Sequence, residues 1–315
     1  MDENILMRNV EEVVTEEEFS KIIAKEKKPS VYCGFEVSGS VHLGHLVAVS
    51  KMIDFADQGF KVKVLFADVH TKLNRKDVNI EEMVAYWQKV FTSYGLTKAE
   101  YIKGSDFQFN EEYVRDVLEI GLKTTLNRAI RSMQEVARDI EHAHVSQMIY
   151  PLMQIADIKA LSVDVAYGGI EQRKIHMLAR EILPQIGYKK PVFVHTPLIT
   201  SLKGPEVKMS SSIPDSLIAV EDSIEEIKSK VNGAFCPKEL TGNPILGVAK
   251  LVLFPKLGRI DVNRPEKFGG NLSYKSYAEL EGDYLSNNLH PADLKVAVSE
   301  GISTILEPVR SAVSG

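Results

Sequence analysis

The chain has 315 residues, room for one large domain or two moderate ones. At 44% hydrophobic and 26% charged it is an ordinary globule able to bury a substantial core. A net charge of -5 argues against indiscriminate nucleic-acid binding but leaves room for a local basic face. Cys33 and Cys236 form no ligand cluster, which argues against structural zinc and for a reduced intracellular compartment. The acidic start, MDENILMRNVEEVVTEEEF, does not resemble a signal peptide, and no stretch approaches the roughly 18 apolar residues of a membrane span. The cytoplasm is the expected location.

In chain order, Thr15 followed by Glu18 predicts a capping box opening a short first helix, EEEFSKIIAKE. SVYCGF (30–35) is β-branched and aromatic, and reads as a strand. From His42, the residues Leu46, Val49, Ile53 and Ala56 recur at helical steps until Gly59. KVKVLFADVH (61–70) reads as a second strand, IEEMVAYWQKVFTSYG (80–95) as a helix and AEYIKG (99–104) as a third strand. This alternation predicts an α/β fold, a Rossmann-like doubly wound parallel sheet that binds ligands beyond the carboxyl ends of its strands. Helical stretches over about 110–138 and 143–160 form an inserted region, about 105–160. SVDVAYGGIEQRKIHMLAREI (162–182) reads as strand, glycine turn and helix, and PVFVHTPLI (191–199) as a strand. A polar loop, 200–216, interrupts the pattern, and the alternation stops near 233. The expected division is therefore 1–232 and a mostly helical 233–315. The last helix starts at Pro291 with the stripe Leu294, Val298, Ile302, Ile305 and Val309.

FEVSGSVHLGHL (35–46) places small residues and two imidazoles, His42 and His45, where a strand turns into a helix. Small residues let the backbone approach a ligand, and a helix N-terminus suits phosphate. Imidazoles there can donate to phosphate oxygens as charge builds. The alternative is that one histidine caps the helix and the other packs. In the late loop, Lys208, Met209, Ser210, Ser211 and Ser212 could close on a leaving pyrophosphate; alone, such a run is more often a solvated turn.

HLGH (42–45) followed by KMSSS (208–212) resembles the paired signature of the class I aminoacyl-tRNA synthetases, over nearly the whole chain. Within YPLMQIADIKAL (150–161), Tyr150, Gln154 and Asp157 lie at i, i+4 and i+7, so they share a helix face; Pro151 should kink that helix or start a new turn. The strip is either a structural polar network or a pocket wall. With Tyr32 and Glu36 from VYCGFE and Gln172 from GGIEQRK, it resembles the pocket of tyrosyl-tRNA synthetases of the archaeal and eukaryotic type. The resemblance implies that Tyr32 and Asp157 bind a phenol. It also implies that Tyr150, Gln154 and Gln172 surround the α-amino end, with Glu36 nearby. Leu65, His70, Phe107 and Gln108 would complete the walls.

By that resemblance the substrates are L-tyrosine, ATP with its Mg²⁺, and tRNA(Tyr). His42, His45 and Lys208 carry catalysis, and the metal travels with ATP rather than in a protein site. Gly34 and Gly44 admit the nucleotide, with Gly168, Gly169 and Glu171 near the ribose and Met209 to Ser212 around the phosphates. Arg131 and Arg173 meet the acceptor stem. Phe268, His290, Pro291 and Asp293 read the anticodon, although Pro291 and Asp293 also suit helix initiation. A homodimer through the helical region after 104 is expected. The chain departs from the family pattern at Val37, Ile130, Ile213 and Pro214. The rival readings are a tryptophan enzyme of the same subclass, another adenylyl transferase, and a synthetase-derived protein that binds tRNA without charging it.

Overall fold

The computed structural model describes every residue except 25–27, 75–76, 135–143, 208–212 and 315. Five parallel strands and one antiparallel strand form the main sheet: β1 (Glu12–Val14), β2 (Ser30–Phe35), β3 (Lys61–Phe66), β4 (Ala99–Lys103), β5 (Val165–Gly169) and β6 (Val192–Thr196). Their order is β1-β6-β5-β2-β3-β4. The chain steps from β2 outward to β4, then returns to the other side of β2 with β5 and β6. The order therefore reverses between β2 and β5, where an open α/β sheet forms its ligand crevice. β2 reads as a continuous apolar run because both of its faces are covered; only Gly34 is exposed.

The helices of this half are α1 (Glu3–Met7), α2 (Glu16–Ile23), α3 (Leu43–Asp57), α4 (Asp68–Leu73), α5 (Ile80–Tyr94), α6 (Glu111–Lys123), α7 (Leu126–Ser132), α8 (Val145–Ala160) and α9 (Arg173–Ile182). After them come α10 (Ile224–Gly233), α11 (Pro244–Val248), α12 (Phe254–Leu257), the hairpin of β7 (Ile260–Val262) and β8 (Leu272–Tyr274), α13 (Tyr277–Leu285) and α14 (Pro291–Val313).

Four expectations change. The stretch 61–70 is not one strand: β3 ends at Phe66, and Asp68 opens α4, whose Thr71 hydroxyl donates back to the Ala67 carbonyl at 3.0 Å. The stretch 110–138 breaks at Thr124 and Thr125, both in extended conformation, so α6 ends and α7 restarts; its last residues lie outside those described. Thr15 caps α2 by accepting from Glu18 N–H at 3.3 Å, but α2 is the second helix, not the first, and the Glu18 carboxylate is shared between the Thr15 backbone and Arg180. α8 begins at Val145 and runs through Pro151 to Ala160.

By contact density the chain forms two compact units: 1–38 with 51–85 and 98–197, and 39–50 with 86–97 and 198–315. The main sheet belongs wholly to the first. In the second, α14 buries all five residues of its predicted stripe. Among the described residues, no helix is long and apolar enough to cross a membrane.

Candidate active site

In the first unit, α8 places Asp157 in an apolar cluster built from β2, β3, α6, α8 and α9. Asp157 is 1% exposed. One carboxylate oxygen, Oδ1, accepts from Gln108 Nε2 at 2.8 Å and from the Tyr113 hydroxyl at 2.8 Å. Burial, opposed by those two bonds, pushes the carboxyl up to about 7. The other oxygen, Oδ2, lies 3.8 Å from His70 Nε2. Both His70 ring nitrogens are buried without a hydrogen-bond partner among the described residues. Burial lowers His70 to about 4, so the ring is neutral. Tyr32 is 2% exposed, and burial, reinforced by Asp157, raises its phenol well above the usual value. Tyr150 packs edge-on to His70 at 4.5 Å. Leu65 and Phe107 join the same cluster, with Phe107 edge-on to Tyr113 at 5.5 Å. This is a mostly apolar wall carrying a few convergent polar groups, the composition of a small-molecule pocket.

Gln154, one turn before Asp157, donates to Gln172 Oε1 at 3.0 Å, and Gln172 donates to Glu171 Oε1 at 3.2 Å. Burial raises the Glu171 carboxyl, and its Oε2 is buried without a partner among the described residues. The preceding glycines let these side chains lie close against the backbone. A Cβ on Gly169 would stand 2.1 Å from Glu171 Oε2, and one on Gly168 would stand 3.0 Å from Gln172 Cγ. Gly34 differs: a Cβ there would meet only ordinary contacts with Tyr32 and Leu65. Glu36 accepts from Asn74 Nδ2 at 2.5 Å.

The first unit also ties down an expected RNA contact. Arg173 is bidentate to Glu12, at 2.7 and 2.8 Å. Glu12 Oε2 lies 3.2 Å from His195 Nδ1, and His195 Nε2 lies 2.9 Å from His176 Nδ1. Arg131 is exposed at the end of α7.

In the second unit, His42 precedes α3. His42 Nδ1 accepts from Gly44 N–H at 3.1 Å, and His45 Nδ1 accepts from His42 N–H at 3.2 Å. The rings stack at 3.8 Å. Burial lowers His42 to about 4 and His45 well below the usual histidine value. Each imidazole is thus neutral with its proton on Nε2, because Nδ1 is spent as an acceptor. They are dipolar donors at neutral pH, not cations. Lys208, Met209, Ser210, Ser211 and Ser212 lie outside the described residues.

At the other end of that unit, Phe268 is 60% exposed, with the Lys267 ammonium 4.9 Å from its ring centre. His290 caps α14 by accepting from Ala292 N–H at 3.1 Å, Pro291 fills the first helical position and Asp293 lies in the first turn. Arg264 donates to the Gly270 carbonyl at 2.6 Å and the Asn288 carbonyl at 2.8 Å, bracing both loops.

The family model described as tRNA synthetases class I (W and Y) matches residues 24–307. The chain belongs to this family. It is therefore an aminoacyl-tRNA synthetase with the class I Rossmann-like fold. It is 49% identical over 311 residues to a tyrosine–tRNA ligase of Archaeoglobus fulgidus, covering 97% of this chain and 95% of that one. To the tyrosine–tRNA ligase of Methanospirillum hungatei it is 48% identical over 307 residues, with 97% of each chain covered. The crystal structure of the Archaeoglobus fulgidus tyrosyl-tRNA synthetase complexed with L-tyrosine superposes with a TM-score of 0.94 at 47% identity, covering 98% of both chains.

The sequence named Tyr32, Tyr150, Gln154, Asp157 and Gln172, and the structure puts them all in the first unit around one cluster and its rim. Tyr113 was missed. Its signal was a tyrosine on the buried face of α6, in step with Val117 and Ile120, which reads as core from sequence alone.

Proposed function

We propose that the chain is a tyrosine–tRNA ligase. The observation that carries this reading is the buried Asp157 carboxylate, held by Gln108 and Tyr113 with one oxygen left to accept, beside the Tyr32 phenol in an otherwise apolar cluster. A phenol satisfies such a carboxylate. Phenylalanine would leave that second oxygen buried without a donor, which is costly. The Archaeoglobus fulgidus synthetase, complexed with L-tyrosine, and the similar tyrosine–tRNA ligases support the same choice.

In the first step, a tyrosine carboxylate oxygen attacks the α-phosphorus of ATP. The bond to the bridging oxygen breaks, and pyrophosphate leaves with the electron pair. The nucleophile is already ionised, so no base is needed, and catalysis is positioning plus charge stabilisation. His42 and His45 supply fixed, neutral N–H donors, and Lys208 supplies positive charge. Met209 and Ser210 to Ser212 complete the phosphate contacts. Mg²⁺ would come with the phosphates of ATP and would offset their charge. No group of three His, Cys, Asp or Glu side chains among the described residues could hold it on the protein. Gly34 and Gly44 leave room for the nucleotide, and the unpartnered Glu171 Oε2 next to Gly168 and Gly169 suits ribose hydroxyls. Gln154, Gln172, Tyr150 and Glu36 orient the α-amino end. In the second step the terminal ribose hydroxyl attacks the tyrosyl carbonyl, and AMP leaves.

Residues 1–232 carry activation and 233–315 read the anticodon of tRNA(Tyr) through Phe268, His290, Pro291 and Asp293, with Arg131 and Arg173 at the acceptor stem. The protein acts in the cytoplasm as a homodimer. On α6 and α7, Val114, Leu118, Leu122 and Leu126 are 44, 65, 88 and 64% exposed, an apolar stripe that supports self-association.

ATP–pyrophosphate exchange tests the reading. Exchange should require tyrosine and ignore phenylalanine and tryptophan. Exchange with tryptophan alone would assign the pocket to an indole, and none with any amino acid would favour a non-catalytic tRNA-binding protein.

A further inference from the structure

The turn carrying His42 and His45 is gripped by two consecutive residues of α5. Trp87 is 1% exposed; its indole N–H donates to the Gly39 carbonyl at 3.1 Å and its ring lies 4.7 Å from that of His45. Phe91 backs Trp87 edge-on at 5.7 Å, so Phe91, Trp87, His45 and His42 form a column of four rings. The Tyr86 hydroxyl accepts from Val41 N–H at 3.0 Å and donates to the Glu221 carboxylate. Backbone bonds join the same turn to the segment after the KMSSS loop: Leu43 N–H to the Ile218 carbonyl at 3.1 Å and Val220 N–H to the Val41 carbonyl at 3.0 Å. All of these atoms lie in the second unit.

Core filling needs neither the indole N–H nor the phenol hydroxyl. Gly39 takes the left-handed φ of +74° that favours glycine, and the space where a Cβ would stand is open, so no side chain of its own can anchor the turn there. The Trp87 N–H supplies that anchor, while the Trp87 ring sets the plane of His45. We infer that Tyr86 and Trp87 are positioning residues for phosphate chemistry, holding the two Nε2–H donors in one geometry and linking that geometry, through Glu221, to the segment following the lysine-serine loop. This rests on the reading of His42 and His45 as phosphate donors. Misplacing a catalytic group by about 1 Å can cost about 100-fold in rate.

The test is tyrosine-dependent ATP–pyrophosphate exchange on the full chain carrying W87F, Y86F or H45N, with rates normalised to active sites titrated by the adenylate burst. H45N checks the underlying reading by itself: unimpaired exchange there would refute the phosphate role of the turn, whatever Trp87 does. With H45N impaired, W87F should lower kcat about 10-fold, and Y86F less. KM for tyrosine should stay within about two-fold in both. A merely structural role would lower melting temperature and the number of active sites while leaving kcat per site unchanged, and that result overturns the inference. If W87F does not fold, Y86F decides, because Tyr86 is only half-buried. Trp87 is the only tryptophan, so intrinsic emission also reads the contact. Saturating ATP should shift the emission of the unmodified chain, and an unmoved spectrum would count against the inference.

Discussion

At the scale of a residue, Asp157 combines two demands that conflict. Its proposed role, recognition of a phenol, wants an ionised acceptor, whereas burial resists ionisation and raises the carboxyl to about 7. A folded-state value above the ordinary carboxylate one means the folded chain holds the proton more tightly than the unfolded chain. The resulting stabilisation is complete below about pH 4 and is lost as pH rises through about 7. D157N removes that titration. Its melting temperature should exceed that of the parent at pH 8, and the gap should narrow on going down to pH 5, as read by thermal melts across pH. A gap independent of pH would show that the carboxyl is ionised throughout. Sequence spacing exposed Tyr150, Gln154 and Asp157 because they share one helix face. It could not expose partners that arrive from afar: Tyr113 is 44 positions from Asp157, and Glu12 is 161 from Arg173.

Among elements, those with a long regular period were the legible ones. SVYCGF became β2 without a shift of boundary, and the five-residue stripe predicted for α14 is wholly buried. Short elements were hidden. β1 has three residues and an acidic setting, and it exists because β6 offers it an edge. β7 and β8 likewise have three residues each, too few to show an alternation. α4 hid because ADVH continues the apolar run of β3, yet an acidic residue such as Asp68 is favoured at a helix start. α6 is the element most easily tested. It delivers Tyr113, one of two donors that keep Asp157 acceptor-ready. Y113F should raise KM for tyrosine about 10-fold, the effect of losing one hydrogen bond to a charged group. The loss of kcat should be smaller, measured by pyrophosphate exchange against tyrosine concentration. An unchanged KM would mean that Gln108 alone suffices.

For the molecule as a whole, order along the sequence is not order in space. The segments 39–50 and 86–97 group with 198–315, so the helices α3 and α5 each begin in one unit and end in the other. No local pattern announces this, because it depends on which distant segments the ends of a helix meet. The exposed stripe on α6 and α7 was likewise invisible: Leu118 and Leu122 look like core leucines until their surroundings are known. L118E with L122E should convert a dimer to a monomer in sedimentation equilibrium at micromolar concentration, while the melting transition stays cooperative. If the parent chain is already monomeric, the stripe serves another purpose.

The bidentate pair of Arg173 and Glu12 has a consequence for electrolyte behaviour. A basic side chain normally helps RNA binding by freeing condensed cations from the polyanion, and that release makes affinity fall as salt rises. Arg173 has its charge already matched by the Glu12 carboxylate, so engaging RNA in its proposed role would exchange one anion for another and leave the ionic balance nearly level. At the proposed acceptor-end contact such a residue would add shape and hydrogen-bond direction, and little dependence on ionic strength.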